Sequence, residues 1–537
     1  MSANVTSAVR QCDDIRRALL ARDELALVDV REEAPYATGH PLFAVNIPLS
    51  RLELDIFARV PRRTTPITLY DDGEGLAAIA RRRLVELGYT DVALLAGGLS
   101  GWRAAGGEVF IDVNSPSKAF GELLEAQAHT PSLSAAEVNA LLAGEEDVVV
   151  LDSRRFDEYQ TMSIPTGISV PGGELALRAR DLAPSPSTRI IVNCAGRTRS
   201  LVGAQSLINA GVPNPVAALR NGTIGWTLAG LPLEHGQQRR YGRVSENYRL
   251  QTARAARRLA DRAGVGRVSL AQLALWRQEA WRTTYLIDVR DQQAYQHAHL
   301  AGARNVPGGQ LVQETDHILS VRGARAVLVD DDGVRANMTA SWLAQMGWDC
   351  WVVDGLTAQE FSATGDWQAP RPAAPEADEI DVHALNERWR RDDLQVLDLT
   401  GSASYVQGHI PGAGWLLRAD LLTGRAKLPP AADGYVLTCA SGLLARFAAA
   451  DLRRLTDRPV RVLRGGTQAW REAGLPLASG EERLLSPRTD RYRRPYEGTD
   501  NSPAAMRAYL DWEFGLIAQL DRDGTHFFHV LSPPETP

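Results

Sequence analysis

Four times along the chain a short apolar run ends on an aspartate: LALVD at Asp29, VVVLD at Asp152, YLID at Asp288 and LQVLD at Asp398. The runs are rich in Val, Ile and Leu and do not alternate with polar residues, which predicts short strands covered on both faces. Seven residues after each aspartate stands a tyrosine (Tyr36, Tyr159, Tyr295, Tyr405), followed by a turn signal: GHPLFAVNIP, SIPTGISVPGG, HLAGARNVPGG and GHIPGAGWL. A second apolar run closes 41 or 42 residues after each aspartate, at Tyr70, Cys194, Asp330 and Cys439. A third leads, after a further 31 or 32 residues and through a glycine pair or its remnant, to Trp102, Trp226, Phe361 and Trp470. Helical patterns such as SAAEVNALLAG and SLAQLALWRQ separate the runs. Strands alternating with helices predict a parallel sheet with helices on both faces.

A pattern repeated four times at near-constant spacing is an internal repeat. It predicts four tandem, small, doubly wound α/β domains over residues 1–112, 113–236, 237–372 and 373–482, followed by a tail at 483–537. Joins rich in Gly and Pro are expected near 105–118, 236–250 and 363–376. In the tail, AAMRAYLDWEFGLIAQL reads as one amphipathic helix that packs across the repeats or against a second copy of the chain in a homodimer.

Composition narrows the class. A formal net charge of -6 over 537 residues lacks the basic surplus of a nucleic-acid binder. The N-terminal stretch has no apolar core of a signal peptide and no run could span a bilayer, so no membrane partner is expected. Four cysteines make no disulfide framework and fit a reducing cytoplasm.

One thiol stands at the mouth of a buried strand. In IIVNCAGRTRS the loop after Cys194 runs into LVGAQSLINAG, a helical pattern ended by Gly211. Loop amides and the helix N-terminus form an anion nest, and Arg197 and Arg199 add positive charge for an oxyanion. Cations and helix N-termini lower a thiol pKa. The recurring DVRE…Y…GH pattern, the strand-end cysteine loop and the GG…W closing motif together resemble the rhodanese (thiosulfate sulfurtransferase) family over most of residues 10–480. That resemblance implies a cysteine that becomes a persulfide, here Cys194, cradled by Ala195, Gly196, Arg197, Thr198, Arg199 and Ser200. A sulfane-sulfur donor such as thiosulfate would load it, and cyanide or a thiol would unload it. Such chemistry needs no metal or organic cofactor.

The alternatives are a multi-domain scaffold in which Cys194 is a small core residue, a sulfur-carrier protein, and a cysteine phosphatase. The phosphatase loop of the tyrosine class has five residues between Cys and Arg, whereas four separate Cys194 from Arg199. Cys439 lies at the same repeat position in CASGLLA, similar to loops of two-domain sulfurtransferases, but has no arginine inside the loop; catalysis, structure or sulfur relay all remain open to it. The other two copies put Tyr70 and Asp330 there, and their acidic loops, Asp71-Asp72 and Asp330-Asp331-Asp332, are expected to be turn formers and not metal ligands. Asp152 and Arg154 are expected to tie the first apolar strand to the cysteine loop; Leu399-Thr400 replaces the motif in the fourth copy. Glu174 is expected to serve a helix N-terminus, His297 and His299 to lie on a loop surface, and Trp226 and Trp470 to be core. The order without and with cysteine suggests two successive pairs, each cysteine-free copy walling the cleft of the copy after it.

Overall fold

A computed structural model describes residues 8–144, 146–389 and 393–532; residues 1–7 and 533–537, at the ends of the expected first domain and tail, lie outside the described residues. The four aspartate runs are strands Ala26–Asp29, Val148–Asp152, Thr284–Asp288 and Leu394–Asp398. Each occupies the same place in a five-stranded parallel sheet whose strands, numbered along each copy, lie in the order first, fifth, fourth, second, third. The second apolar run of each copy is the central fourth strand, and the helix after it packs back on the sheet, as parallel connections require. The chain winds one way from the second strand to the third and the other way from the fourth to the fifth, which leaves the carboxyl ends of the adjacent second and fourth strands open side by side, the usual ligand position in a doubly wound sheet.

The repeated tyrosine closes the turn after the second strand. Tyr36, Tyr159, Tyr295 and Tyr405 are buried, and their hydroxyls donate to the carbonyls of Ala44, Gly167, Ala303 and Ala413 at 2.7–3.0 Å. His299 is not on the surface as expected: it is buried, stacked on Tyr295 at 3.8 Å, and its Nδ1 lies 2.8 Å from the Tyr295 carbonyl. His297 is exposed. Trp102, Trp226 and Trp470 fill the cores.

Two expected joins end in helices. Asn114 takes a left-handed conformation and starts the helix Ser115–Ala128, with Pro116 in a first turn where its missing N–H costs nothing. Ser245 precedes the helix Glu246–Arg262. The tail is two helices, Pro503–Phe514 and Leu516–Asp523, broken at Gly515. The break lets two apolar faces bury in different places. Met506, Tyr509 and Leu510 pack on Ala195 and Ile224, while Leu516 and Leu520 join the core shared by the first and third copies.

The pairing of copies differs from the expected succession. The first copy docks on the fourth: Arg418 reaches Glu53 at 2.5 and 2.9 Å and Asp451 at 2.8 Å, and Arg83 bridges Glu53 and Asp451. The second docks on the third, Gly173 against Gly309, with Glu174 paired to Arg335 at 2.6 Å. Glu174 is therefore an interdomain ion-pair partner, also held by Arg178 at 2.9 Å, and not simply a helix-terminal carboxylate. Each pair still joins one cysteine-bearing copy to one without.

Candidate active site

The cysteine loops sit where the fourth strand ends. The strand Arg189–Asn193 hands over to Cys194, and the helix Thr198–Asn209 starts four residues later. Asp152 lies beside Asn193 in the sheet register and accepts its Nδ2–H at 2.8 Å. Arg154 grips both Asp152 oxygens, at 2.9 and 2.7 Å, and donates to the Met162 carbonyl at 2.6 Å. Asp152 and Arg154 thus brace the strand that carries Cys194. The same pair stands in the first and third copies, Arg31 on Asp29 and Arg290 on Asp288, each at 2.6 Å. In the fourth copy the backbone N–H two residues on still donates to the aspartate, Thr400 to Asp398 Oδ1 at 2.8 Å, but no guanidinium takes the place of Arg154, Asp398 Oδ2 has no hydrogen-bond partner among the described residues, and burial raises the Asp398 pKa.

The closing motif holds the loop from the other side. Thr223 N–H donates to the Cys194 carbonyl at 2.9 Å and Ile224 N–H to that of Ala195 at 3.0 Å. Thr467 and Gln468 do the same for Cys439 and Ala440, both at 2.9 Å. The carbonyls are turned back toward the closing motif, leaving loop N–H groups to face the strand end.

That amide nest is visible in all four copies. In the third, the Asp330 carboxyl takes the thiol's place and accepts from Gly333 N–H at 3.2 Å and Ala336 N–H at 2.8 Å, three and six residues on. In the first, Asp71 accepts from Gly73 and Ala77 at 3.0 and 2.9 Å. Around Cys439 the N–H groups of Gly442, Leu444 and Ala445 act on the sulfur, two of them again three and six residues on. Around Cys194, Ser200, six residues on, and Arg199 draw the thiol pKa down, while the Ser200 hydroxyl donates to the Arg197 carbonyl at 2.8 Å. Where the thiol is lost, a carboxyl of the chain sits in the nest; where it is kept, the nest faces sulfur.

Burial pushes both thiols above the ordinary cysteine range. For Cys194 it is opposed by Arg199 and Ser200, for Cys439 by the three amides. Their access differs. Cys194, Ala195, Gly196 and Arg197 are all buried beneath the tail, whereas Ala440 and Ser441 beside Cys439 are exposed.

The two loop arginines are both engaged by carboxylates. Arg197 is buried, forked onto Glu122 at 2.7 and 2.9 Å, paired with Glu125, and covered by the Phe514 ring at 4.2 Å. Its charge is therefore spent on the linker helix and is not free for a substrate. Arg199 is forked onto Glu158 at 2.8 and 2.9 Å. Although burial opposes it, Arg199 holds Glu158 at a pKa of about 2. Arg199 also lines a cavity of about 700 Å³ between the second and third copies, with Ser153, Phe156, Tyr241 and Gln313. Thr198 caps nothing: its hydroxyl has no partner among the described residues. Glu122, Glu158, Tyr509 and Glu513, which surround the Cys194 loop, carry no local signal, because they arrive from elements 36 to 319 residues away.

Comparison with known proteins agrees with this geometry. A family model described as the rhodanese-like domain matches residues 14–105, 134–229, 270–356 and 381–473. The crystal structure of a thiosulfate sulfurtransferase from Pseudomonas aeruginosa superposes with a TM-score of 0.97 at 65% identity, covering 98% of this chain and 100% of that one. A sulfurtransferase of Allochromatium vinosum is 33% identical over 104 residues, 19% of this chain and 96% of its own. An uncharacterized protein of Synechocystis is 31% identical over 113 residues, 21% of this chain; the match spans 60% of that protein.

Proposed function

We propose that this chain, which belongs to the rhodanese-like domain family in all four of its copies, is a thiosulfate sulfurtransferase that carries sulfane sulfur as a persulfide on Cys194. The observation that supports this most is the thiol at the end of the strand Arg189–Asn193, on a loop held from behind by Thr223 and Ile224 and running into the helix Thr198–Asn209, with Arg199 and Ser200 drawing its pKa down. The Cys194 thiolate attacks the sulfane sulfur of thiosulfate. A Cys194 S–S bond forms, the S–S bond of thiosulfate breaks, and sulfite leaves with the electron pair. The terminal sulfur rests in the amide nest until a thiophilic acceptor, cyanide in an assay or a thiol in a reducing cytoplasm, takes it and returns the thiolate. The cavity between the second and third copies is the approach this reading gives thiosulfate, Arg199 being the loop arginine that lines it. No metal or organic cofactor takes part in these steps.

A second persulfide on Cys439 is favoured by its three facing amides and exposed loop. A neutral nest without an internal arginine suits a less charged donor than thiosulfate. Intact-protein mass spectrometry after thiosulfate, and separately after mercaptopyruvate, tests both sites. One added sulfur lost in Cys194→Ser supports the first; a sulfur lost in Cys439→Ser supports the second. No adduct in the wild-type protein with either donor refutes the persulfide and leaves a scaffold.

A further inference from the structure

The helix Pro503–Phe514 places a carboxyl over the Cys194 loop. Glu513 is fully buried. Its Oε1 accepts the Tyr509 hydroxyl at 2.6 Å, and its Oε2 accepts no hydrogen bond among the described residues. A Cβ built on Gly196 would lie 3.6 Å from that free oxygen and 3.2 Å from the Tyr509 ring. Gly196 is two residues from Cys194, and its lack of a side chain is what lets the Tyr509 ring lie so close to the loop.

The cations nearby are already committed. Lys118 Nζ, on the linker helix, pairs with Asp112 at 2.8 Å and lies within 5.0–5.6 Å of the Tyr496, Tyr509 and Trp512 rings. Arg197 is held by Glu122 and Glu125. The groups facing Glu513 from every neighbouring element are thus Lys118 with Asp112, Arg197 with Glu122, and the neutral phenols of Tyr496 and Tyr509. A charge on Glu513 has no counter-ion of its own. Burial raises its pKa to about 7 even though Lys118 and Tyr509 pull it down. Glu513 is also one of the charges that raise the Cys194 pKa. Two acids that close in a dry site titrate as a coupled pair, and the second negative charge is strongly disfavoured.

We propose that Glu513 is the proton-holding partner of Cys194: the proton that the thiol gives up on taking sulfane sulfur is kept on the Glu513 carboxylate, so the loop carries one negative charge before and after loading. The inference rests on Cys194 being the sulfur carrier. In loading, the Cys194 S–H bond breaks, its proton ends on Glu513, the thiolate takes the sulfane sulfur, and sulfite leaves with the electron pair of the broken S–S bond. When an acceptor removes the terminal sulfur, the electron pair returns to Cys194 and the proton returns from Glu513. Nothing is oxidised beyond the transfer of the sulfur itself. Glu513 is the general base of this scheme, and the tail helix becomes part of the site.

The test is proton release on thiosulfate loading, followed with an indicator in weakly buffered solution at pH 8 in a Cys439→Ser background. With a pKa of about 7, Glu513 is about nine-tenths ionised before loading and takes up most of the thiol proton. The parent should release only about a tenth of a proton per sulfur bound, and Glu513→Gln close to one. Sulfite binds the same fraction of a proton in both cases and cancels in the comparison. The loading rate of the parent should rise across pH 6–8 and level off. Glu513→Gln should lose that limb and load about 10²-fold more slowly at pH 8, the low end for loss of a proton acceptor. Tyr509→Phe, which removes the donor to Oε1, should move the limb to higher pH. That shift decides the matter if Glu513→Gln does not fold. Equal proton release and an unmoved limb in both variants overturn the inference. Persulfide found on the Cys194 peptide in that case leaves the sulfur-carrier assignment standing, whereas full loading in Cys194→Ser removes the assignment itself.

Discussion

Replacing Gly222 by alanine should disable Cys194 without touching the thiol. Gly222 has a φ of +53°, and a Cβ there would lie 2.3 Å from the Cys194 carbonyl oxygen and 2.8 Å from that of Gly196. Carbon–oxygen contacts settle at about 3.3–3.6 Å, so the loop must retreat by about 1 Å. The left-handed backbone adds about 1–2 kcal/mol of strain for any residue with a Cβ. The retreat pulls the Cys194 carbonyl away from Thr223 N–H and displaces the sulfur from Ser200. A misplacement of about 1 Å costs about 10²-fold in rate, equivalent to about 2.7 kcal/mol in the barrier. Gly466 is the counterpart at the other cysteine: a Cβ would meet the Cys439 oxygen at 2.1 Å, at a φ of +64°. The assay is timed loading with thiosulfate or mercaptopyruvate, alkylation, and quantitation of persulfide on the Cys194 and Cys439 peptides. Gly222→Ala should slow only Cys194, and Gly466→Ala only Cys439, each with the thermal melt of the other domains preserved. A folded Gly222→Ala that loads Cys194 at the wild-type rate would refute the argument that the closing motif sets the loop.

Three further outcomes are expected. Arg418→Ala should destabilise the chain by about 3–5 kcal/mol in denaturant unfolding, because the buried Glu53 and Asp451 are left to share one cation, Arg83; Arg418→Met with Glu53→Leu and Asp451→Leu should recover most of that loss. Glu158, held at about 2 by Arg199, has a folded pKa below its unfolded value near 4.3, so its pair contributes above about pH 4.5 and fades as pH falls toward 2. The contribution is of order 3 kcal/mol, and Glu158→Gln should narrow the stability difference from wild type between pH 6 and pH 3. Asp330→Ala should destabilise the third copy by about 1–3 kcal/mol in the same unfolding assay, since the N–H groups of Gly333 and Ala336 lose their acceptor. An unchanged midpoint would mean the nest is satisfied without an anion.

What was legible in the sequence is what local pattern encodes. Apolar runs ending at Asp29, Asp152, Asp288 and Asp398 show four sheets because a strand buried on both faces needs an unbroken apolar stretch. The constant spacing to Cys194 and Cys439 places both at a strand end, since the short helices and the third strand between the second and fourth strands occupy a nearly constant length of chain. The Asp–Arg motif was legible for the same reason, two residues apart and folded on themselves. The tertiary structure alone decided what stands around those residues. Arg197 reads as an anion-binding cation until Glu122, 75 residues earlier, is brought against it. Glu513 lies outside every repeat and reaches Gly196 because the helix Pro503–Phe514 packs on Ala195 and Ile224. The pairing of the first copy with the fourth depends on Glu53 meeting Arg418, a contact across 365 residues with no periodic trace. Backbone hydrogen bonding repeats at short range and so writes itself into the sequence; the burial of charge depends on which surfaces meet, and only the assembled fold determines that.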